Sequence, residues 1–209
     1  MKKGITATAV ITVILIIAAC VCRASFTHYD SLTPFKVALL NDDMLEMIRS
    51  SVIGATGRSR NVVKVKCTSE VQLAEGVSMQ GAEVVRVFKG SDVKEGDEIL
   101  IMPYSSCIFE EFGSINMGFV NAMIQGDEYL AFLEPPIKVV DKDLTVYKTT
   151  ESLACTVFSY KEHDNVIPGI KENDIEYSVV KDNEFFVNSK EMDDMMKSLK
   201  AEIMQKYQD

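Results

Sequence analysis

The feature that most constrains the fold is a change in hydrophobic period at Asn61. Beyond this residue Val63 and Val65 alternate with Lys64 and Lys66, the period-two pattern of a strand with one buried face. Further runs of this kind predict strands at residues 82–89, 98–102, 119–125 and 128–134. Turns that contain glycine separate the runs, which favours a sandwich or barrel over alternating strands and helices.

Other segments complete the predicted β structure. The dipeptide Gly126-Asp127 lies between two of the runs and is a good signal for a two-residue hairpin connection. Pro135 and Pro136 then end the second of these strands. Additional strands are predicted at residues 144–148, 153–160, 175–180 and 185–187.

Two helices are predicted, one on each side of the β segment. Asn41 begins a short helix whose apolar residues recur at helical spacing, and Gly54 and Gly57 end it. Asn188 and Glu191 form a capping-box arrangement at the start of a C-terminal helix. That helix carries one apolar stripe, Met192, Met195, Met196, Leu199, Ile203 and Tyr207. Such a stripe is typical of core packing, and alternatively of an adaptable partner-binding face.

Residues 1–25 predict an export or anchoring segment. Lys2 and Lys3 precede an uncharged run from Gly4 to Cys22, and Arg23 closes it. A run of this length matches the roughly 20 residues that a bilayer core requires. The positive flank stays in the cytoplasm by the positive-inside rule, so the bulk of the chain is expected outside the cell membrane.

Within that segment, Ile17-Ala18-Ala19-Cys20 resembles a bacterial lipobox. The resemblance implies cleavage before Cys20 and attachment of a lipid to its sulfur. The same residues also fit a retained membrane-spanning helix or a plain signal peptide, since all three share a basic start and an apolar centre. In the two tethered forms the membrane itself is a partner of the chain.

Charge and composition exclude one class of partner. The 209-residue chain has 22 basic and 31 acidic residues, a formal net charge of −9, and no tryptophan. Binding to a phosphate backbone needs clustered Lys and Arg, and single-stranded nucleic acids stack on aromatic platforms in basic grooves. No nucleic-acid partner is therefore expected.

The cysteines leave two arrangements open. Outside the anchor the chain has three, Cys67, Cys107 and Cys155. An oxidising compartment favours one disulfide plus one buried thiol, for which we predict the pair Cys67–Cys107. Three buried thiols are the alternative, because free cysteine is among the most buried residue types.

Two segments carry a resemblance to a known family. Residues 81–101 and 126–135 are similar to the small OB-like barrels of exported bacterial proteins, which are distantly related to the netrin-like module of tissue metalloproteinase inhibitors. The matching positions are Lys89, Gly90, Gly96, Asp97, Gly126, Tyr129, Leu130, Phe132 and Leu133. The resemblance spans residues 61–135 and implies a barrel fold. Metalloproteinase inhibition is not implied, because no cysteine with a free amine begins the barrel.

The expected fold class is therefore mainly β, a small OB-like antiparallel barrel with a short N-terminal helix and a C-terminal amphipathic helix. The expected segments are an anchor (1–25), a tether with the short helix (26–60), the barrel (61–150), additional strands (151–187) and the amphipathic helix (188–209).

No catalytic, metal or cofactor site is predicted. His28 and His163 are the only histidines, and no nucleophile motif, phosphate loop or zinc motif accompanies them. Asp141-Lys142-Asp143 begins like a calcium loop, but the glycine and acid that such a loop needs do not follow. We read it as a solvated turn.

The sequence thus predicts a membrane-tethered extracytoplasmic protein that binds a protein, peptide or glycan without catalysis. Two alternatives stay open. The first is a hydrolytic enzyme whose site brings His163 together with Cys, Asp or Glu side chains in a pocket. The second is an inhibitor of a secreted protease that presents an exposed edge or loop within residues 103–118.

Overall fold

The structure is a computed structural model. It describes residues 31–74, 76–138, 145–169 and 173–207, together with Thr12, Leu15 and Ile16. Internal contacts divide the chain into two compact units, Met1–Asp30 and Ser31–Asp209. Across the described part of the chain, no helix has both the length and the apolar character that a membrane crossing requires.

The described chain is mainly β, in two mixed sheets with helices beside them. The strands, in chain order, are β1 Lys36–Ala38, β2 Asn61–Cys67, β3 Gln72–Ala74, β4 Val77–Lys89, β5 Glu98–Met102, β6 Cys107–Phe109, β7 Ser114–Asn116, β8 Glu128–Leu133, β9 Ile137–Lys138, β10 Thr145–Lys148, β11 Val157–Ser159 and β12 Asp174–Glu176.

The large sheet has the strand order β11-β8-β2-β4-β5-β10-β9, and β3 pairs with β4 beside this path. Its ladders are antiparallel except that β5 and β10 run parallel. The period-two pattern explains β2, where Val63, Val65 and Cys67 are buried and Lys66 is exposed. The strands predicted at residues 61–67, 82–89, 98–102 and 128–134 are confirmed as β2, part of β4, β5 and β8.

A glycine fixes the turn after β4. Gly90 has a φ of 107°, and a Cβ on it would lie 2.1 Å from Asn61 Oδ1. Only glycine fits such a backbone angle and so close a neighbour. This turn leads the chain toward β5.

Beyond the ladders, β8 and the end of β10 are joined by a few backbone contacts. Leu133 and Thr149 form an isolated antiparallel bridge. The amide of Glu134 donates to the Lys148 carbonyl at 2.9 Å, and the amide of Thr150 donates to the Phe132 carbonyl at 2.8 Å. These bonds connect strands that are separated along the sheet path.

The small sheet has the order β12-β1-β7-β6, in which β1 and β7 are parallel and the outer pairs are antiparallel. Its central strand β1 comes from the segment predicted as a tether. That prediction is wrong for residues 31–40, since Leu32 and Phe35 are buried and β1 is hydrogen-bonded on both sides.

Among residues 31–207 three α-helices accompany the sheets: α1 Leu45–Arg58, the single turn α2 Tyr177–Val180, and α3 Lys190–Met204. A 3₁₀ turn, Asp42–Met44, precedes α1. Helix α1 runs through Gly54 and Gly57, which were predicted to end it. The cap of α3 is Ser189, whose Oγ accepts from the Met192 amide at 3.1 Å, and not Asn188 as predicted.

The core lies between the large sheet and the two longer helices. Helix α1 contributes Ile48 and Val52 to it. The stripe of α3 packs inward as core, with Met192, Met196, Leu199 and Ile203 at most 2% exposed. Burial of each such side chain stabilises the fold by about 1.5–3 kcal/mol. The alternative of a partner-binding stripe on α3 is therefore wrong.

Several of the additional predicted strands are shorter than predicted or absent. The segment 153–160 forms a strand only at β11, and 175–180 divides into the end of β12 and helix α2. Residues 185–187 make only isolated bridges, Val120–Phe185 and Leu40–Val187. Residue 144 lies outside the described residues, and the remainder of the strand predicted at 144–148 is confirmed as β10.

The predicted strand at 119–125 is wrong, because side chains hold this segment in place of a ladder. The Gln80 amide donates to the Met123 carbonyl and accepts from the Met123 amide, both at 2.7 Å. The Tyr129 hydroxyl accepts from the Ile124 amide at 2.7 Å. Gly126-Asp127 consequently leads from this loop into β8 and does not close a hairpin.

Candidate functional site

The small sheet presents one face away from the core, here called the open face. Alternation along the strands puts Val37, Ile108, Ile115 and Ile175 on the inner face. The open face therefore consists of two cross-strand rows. One row is Glu176, Lys36, Ser114 and Phe109; the other is Asp174, Ala38, Asn116 and Cys107.

A groove with a volume of about 580 Å³ lies on this face. This volume is within the range of about 300–1,000 Å³ that is usual for ligand sites. Its walls combine two aromatic residues with amide, hydroxyl and carboxylate groups. The lining residues are Ala38, Phe109, Ser114, Ile115, Asn116, Phe119, Asn173 and Asp174.

A strained turn places Phe119 at the groove. Phe119 has a φ of 59°, a backbone conformation that is unusual for a bulky side chain. Gly118 before it has a φ of 65°, and a Cβ there would lie 2.8 Å from the Cys155 amide nitrogen. The Asn116 carboxamide oxygen accepts from the Gly118 amide at 2.9 Å and thereby shapes the turn.

Backbone bonds on both sides fix that conformation. The Gly118 carbonyl accepts from the Cys155 amide at 2.8 Å, and the Phe119 carbonyl accepts from the Phe186 amide at 2.9 Å. A positive φ at a non-glycine residue costs about 1–3 kcal/mol and persists only where the surroundings enforce it. Such strain tends to cluster at binding and catalytic sites, which makes this turn informative.

Exposed aromatic side chains continue from the groove toward the β6–β7 connection. Phe109 is 45% exposed and Phe112 is 72% exposed. They flank Glu110 and Glu111 in a 3₁₀ turn that ends at Gly113. Exposed aromatic residues grouped at a groove are typical of interaction sites.

The charge around the open face is mainly negative. Asp174 and Glu176 are exposed on β12, and Glu110 and Glu111 are exposed next to Phe109. Lys36 is the one basic residue in the four strands of the small sheet. In this part of the described chain, four carboxylates therefore outnumber one ammonium group.

His163 is not isolated. Its Nε2 lies 3.3 Å from Ser159 Oγ, and both residues line a small pocket with Glu184. However, Ser159 is fully buried, and its Oγ already accepts from the Lys161 amide at 3.0 Å. The Glu184 carboxylate accepts from the Ser159 amide and from Lys200. The two Glu184 oxygens are thus engaged by the Ser159 amide and by Lys200, which is not the arrangement of the orienting acid in a catalytic triad.

Burial raises the pKa of Glu184, although the nearby Lys200 ammonium opposes this effect. The same cause acts on two thiols and one phenol in the core. Burial raises the pKa of Cys67 and of Cys155 to about 11, and that of Tyr129 to about 12. The Cys67, Cys155 and Tyr129 side chains are therefore held in their neutral forms and are poorly suited to act as nucleophiles near neutral pH.

The predicted Cys67–Cys107 disulfide is not formed in the structure, where the three described cysteines are free thiols. Cys67 is buried and contacts the Ser69 carbonyl, at an Sγ–O distance of 3.2 Å. Cys107 is half-buried on the open face. The pairing stays a prediction for the oxidised protein.

The remaining predicted sites are not brought together. Cys20, His28 and Asp141-Lys142-Asp143 lie outside the described residues. Within the described residues, no group of three or more His, Cys, Asp or Glu side chains could hold a metal ion. The groove was not predicted. The exposed pair Phe109 and Phe112 does lie inside the segment 103–118, which the sequence analysis named as the exposed edge or loop of a protease inhibitor. No periodic signal marks a face assembled from three distant segments.

No protein-family model matches the chain, and no curated protein sequence matches it either.

Proposed function

We propose that this chain is a non-catalytic binding or accessory protein, held at the outer side of the cell membrane, that binds its ligand in the groove of the open face. The observation that carries the proposal is the strained Phe119 at the wall of a groove of ligand size. Maintaining such strain costs stability, and a binding surface gives a reason to keep it.

The scaffold in this proposal is an OB-like barrel. Its five strands are β2, β4, β5, β10 and β8, with the parallel β5–β10 pair and the Leu133–Thr149 bridge as the supporting contacts. Bonds between Glu134 and Lys148 and between Thr150 and Phe132 would close β10 on β8. The small sheet and α2 are then additions to the barrel, and the groove lies on an addition.

The membrane location rests on the first 25 residues of the sequence. Intact-mass analysis of the protein extracted from membranes distinguishes the three forms. Loss of residues 1–19 with a diacylglycerol on Cys20 identifies a lipoprotein. A full-length unmodified chain identifies a spanning helix, and a chain that is shortened, unmodified and released from membranes removes the tether from the proposal.

The surroundings of His163 support the proposal that the protein binds its ligand without catalysis. The Ser159 hydroxyl is buried, so a substrate could not reach it without opening of the structure. A fluorophosphonate probe on the full chain tests this point, because it labels activated serines covalently. Labelling of Ser159 that depends on His163 would instead establish the hydrolytic alternative.

Site-specific photo-crosslinking tests the groove itself. A benzophenone amino acid replaces Ala38, which is exposed and lines the groove, or the exposed Glu95 in the β4–β5 turn as the control position. We expect a discrete adduct from position 38 in cells that express the full chain, and its loss when Phe109→Ala is added. Equal adducts from both positions, or none from position 38, would contradict the proposal.

A second function is favoured by the exposed side chains of residues 103–118. Tyr104 is 42% exposed, and Phe109 and Phe112 are exposed beyond it. These side chains could enter the specificity pockets of a secreted protease. Inhibition of a protease in a panel by the wild-type chain, and its loss in Phe112→Ala, would assign this function.

A further inference from the structure

We propose that residues 109–113, here called the aromatic turn, form a second membrane contact. In this contact the side chains of Phe109 and Phe112 insert into the interface of the membrane that holds the chain, so the partner is the lipid surface itself. The inference rests on the membrane tether of the proposed function. It adds the surface that the folded part of the chain turns toward that membrane.

Two apolar rings are exposed on the aromatic turn. Phe112 is 72% exposed and Phe109 is 45% exposed. Phe109 caps the 3₁₀ turn Glu110–Phe112, and side chains three residues apart in such a turn eclipse one another. The two rings therefore lie on the same side of the turn. Exposed apolar groups that are bordered by polar residues mark sites of protein or membrane contact.

The aromatic turn lies at the end of the small sheet where the chain enters the fold. Strands β1 and β7 are parallel, so the segments that lead into them reach the same end of the sheet. The amide of Lys36 donates to the Gly113 carbonyl at 2.9 Å, which joins these two segments directly. Phe109 pairs with Ser114 and so lies at this end too. The exposed rings are therefore beside the entry point of the chain.

The chain between the predicted anchor and this entry point is short. Residues 24–31 separate Arg23, which closes the apolar run, from the buried Leu32. At about 3.6 Å per residue, the nine steps from Arg23 to Leu32 cover at most about 32 Å. A short tether makes contact with the same membrane intramolecular, at an effective concentration in the millimolar range. Two rings then suffice for a contact that would be weak for an untethered protein.

The charges at this end of the sheet select the kind of lipid. Glu110 and Glu111 are exposed within the aromatic turn, and Glu176 pairs with Lys36 across β12 and β1. Three carboxylates thus accompany one ammonium group among these residues. Anionic headgroups attract basic segments and repel acidic ones. We therefore expect the aromatic turn to insert into a zwitterionic surface, with its carboxylates left in water.

Tryptophan fluorescence tests the proposal, because the chain contains no tryptophan of its own. The full chain with Phe112→Trp is reconstituted into phosphatidylcholine vesicles whose acyl chains carry bromine, which quenches tryptophan. The control is Ile124→Trp, at a 49% exposed position in the loop that follows β7. Interfacial apolar groups lie about 5–10 Å deep, so we expect blue-shifted emission and about threefold stronger quenching for Phe112→Trp.

Two further samples test the parts of the contact. Phe109→Ser in the Phe112→Trp chain should reduce the quenching, because one of the two inserted rings is lost. Replacing part of the phosphatidylcholine by brominated phosphatidylglycerol should also reduce it, since Glu110 and Glu111 are then repelled. Stronger quenching with phosphatidylglycerol would contradict the zwitterionic surface.

Co-flotation with the vesicles separates this inference from the proposed function. Quenching that is strong at position 112 and weak at position 124 supports the inference. A chain that floats but is quenched equally at both positions, or not at position 112, overturns it and leaves the tether intact. Emission at position 112 that shifts only when a protease is added would also overturn it and assign the aromatic turn to protease inhibition. A chain that does not float removes the tether and this inference with it.

Discussion

The ammonium group of Lys200 lies 2.7 Å from the Glu184 carboxylate, and both side chains are about 95% buried. Lys200 also donates to the Lys161 carbonyl at 2.7 Å, and Glu184 accepts from the Ser159 amide at 2.9 Å. The pair thus joins helix α3 to β11 and to the chain segment before α3. Charges this deeply buried are tolerated only when every bond around them is made.

Removal of either partner should be strongly destabilising. We expect Lys200→Met or Glu184→Gln to lower the free energy of unfolding by about 3–5 kcal/mol, because the other polar group stays buried without its partner. Urea unfolding of the full chain in one fixed detergent measures the change. The control is Lys190→Met, since the Lys190–Asp194 pair on the same helix is exposed.

The control substitution Lys190→Met should lower the free energy of unfolding by less than about 1 kcal/mol. The double variant Lys200→Met with Glu184→Gln should be more stable than the sum of the two single changes predicts. Equal losses at the buried and exposed pairs would show that Lys200 and Glu184 are hydrated in solution.

Because Phe119 has a positive φ, its glycine variant should be more stable than its alanine variant, the reverse of the usual order. In ordinary backbone, glycine is about 0.5–1 kcal/mol less stable than alanine. At a φ of 59° alanine keeps the strain and glycine removes it. We therefore expect Phe119→Gly to be more stable than Phe119→Ala by about 1 kcal/mol, as measured by thermal unfolding.

Phe112 is the matched control, because it is an exposed aromatic residue without a positive φ. There Phe112→Ala should be at least as stable as Phe112→Gly. The same order at both positions would mean that Phe119 is not strained.

Stability should fall at alkaline pH. The pKa values of Cys67 and Cys155 rise from 9.0 to about 11 on folding, and that of Tyr129 rises from 10.0 to about 12. Between pH 9 and 12 the folded chain therefore holds protons that the unfolded chain has lost, and stability declines as pH rises. Below about pH 8 these three groups contribute almost no slope.

Denaturant titrations at pH 8, 9, 10 and 11 measure this decline. Cys67→Ala removes one of the three groups and should flatten the curve. A decline that is equally steep in Cys67→Ala would assign the alkaline sensitivity to other groups.

The thiols should differ in their reactivity toward an alkylating reagent. At pH 8 the raised pKa and burial keep Cys67 and Cys155 almost entirely protonated, so Cys107 should react first in the folded protein. Peptide mapping by mass spectrometry after brief exposure to iodoacetamide measures the order. Denaturant should make all three react at similar rates.

The same experiment on protein purified without reductant tests the predicted disulfide. If Cys67 and Cys107 become alkylated only after reduction, even in denaturant, they are paired. Reaction of both without reduction would contradict the pairing.

Hydrogen exchange can test the closure of the proposed barrel. The amides of Glu134 and Thr150 donate across the β8–β10 contact. If that contact closes the barrel, these two amides should be protected to within about tenfold of the central β2 amides. The amide of Lys94, which only bonds the Asp97 side chain in an exposed turn, is the fast-exchanging control. Fast exchange at both Glu134 and Thr150 would mean that the sheet stays open.

The sequence predicts the parts of this fold that repeat a local period. Strand β5, the second half of β2 and helix α3 each bury one face, so their patterns reflect their surroundings. Segment 119–125 has the same alternation, but its partners are the side chains of Gln80 and Tyr129, and such partners leave no periodic signal. Strand β1 was missed because three residues are too few to show a period.

The groove could not be predicted for a related reason. Its residues come from four strands whose neighbours are set by tertiary pairing, and the positive φ of Phe119 depends on bonds from Cys155 and Phe186. Apart from the β6–β7 pairing, none of these relationships is local in the chain. What the sequence marks is the exposed aromatic pair, Phe109 and Phe112, beside two acidic residues.

The order of the small sheet has a consequence for biosynthesis. Strand β1 emerges early from the ribosome, but its neighbour β12 is completed only at Glu176, after most of the chain has been made. Pairings between such distant segments form late, since loop closure must precede them. The groove is therefore an attribute of the finished molecule, and a nascent, truncated or proteolytically shortened chain that lacks β12 would not contain it.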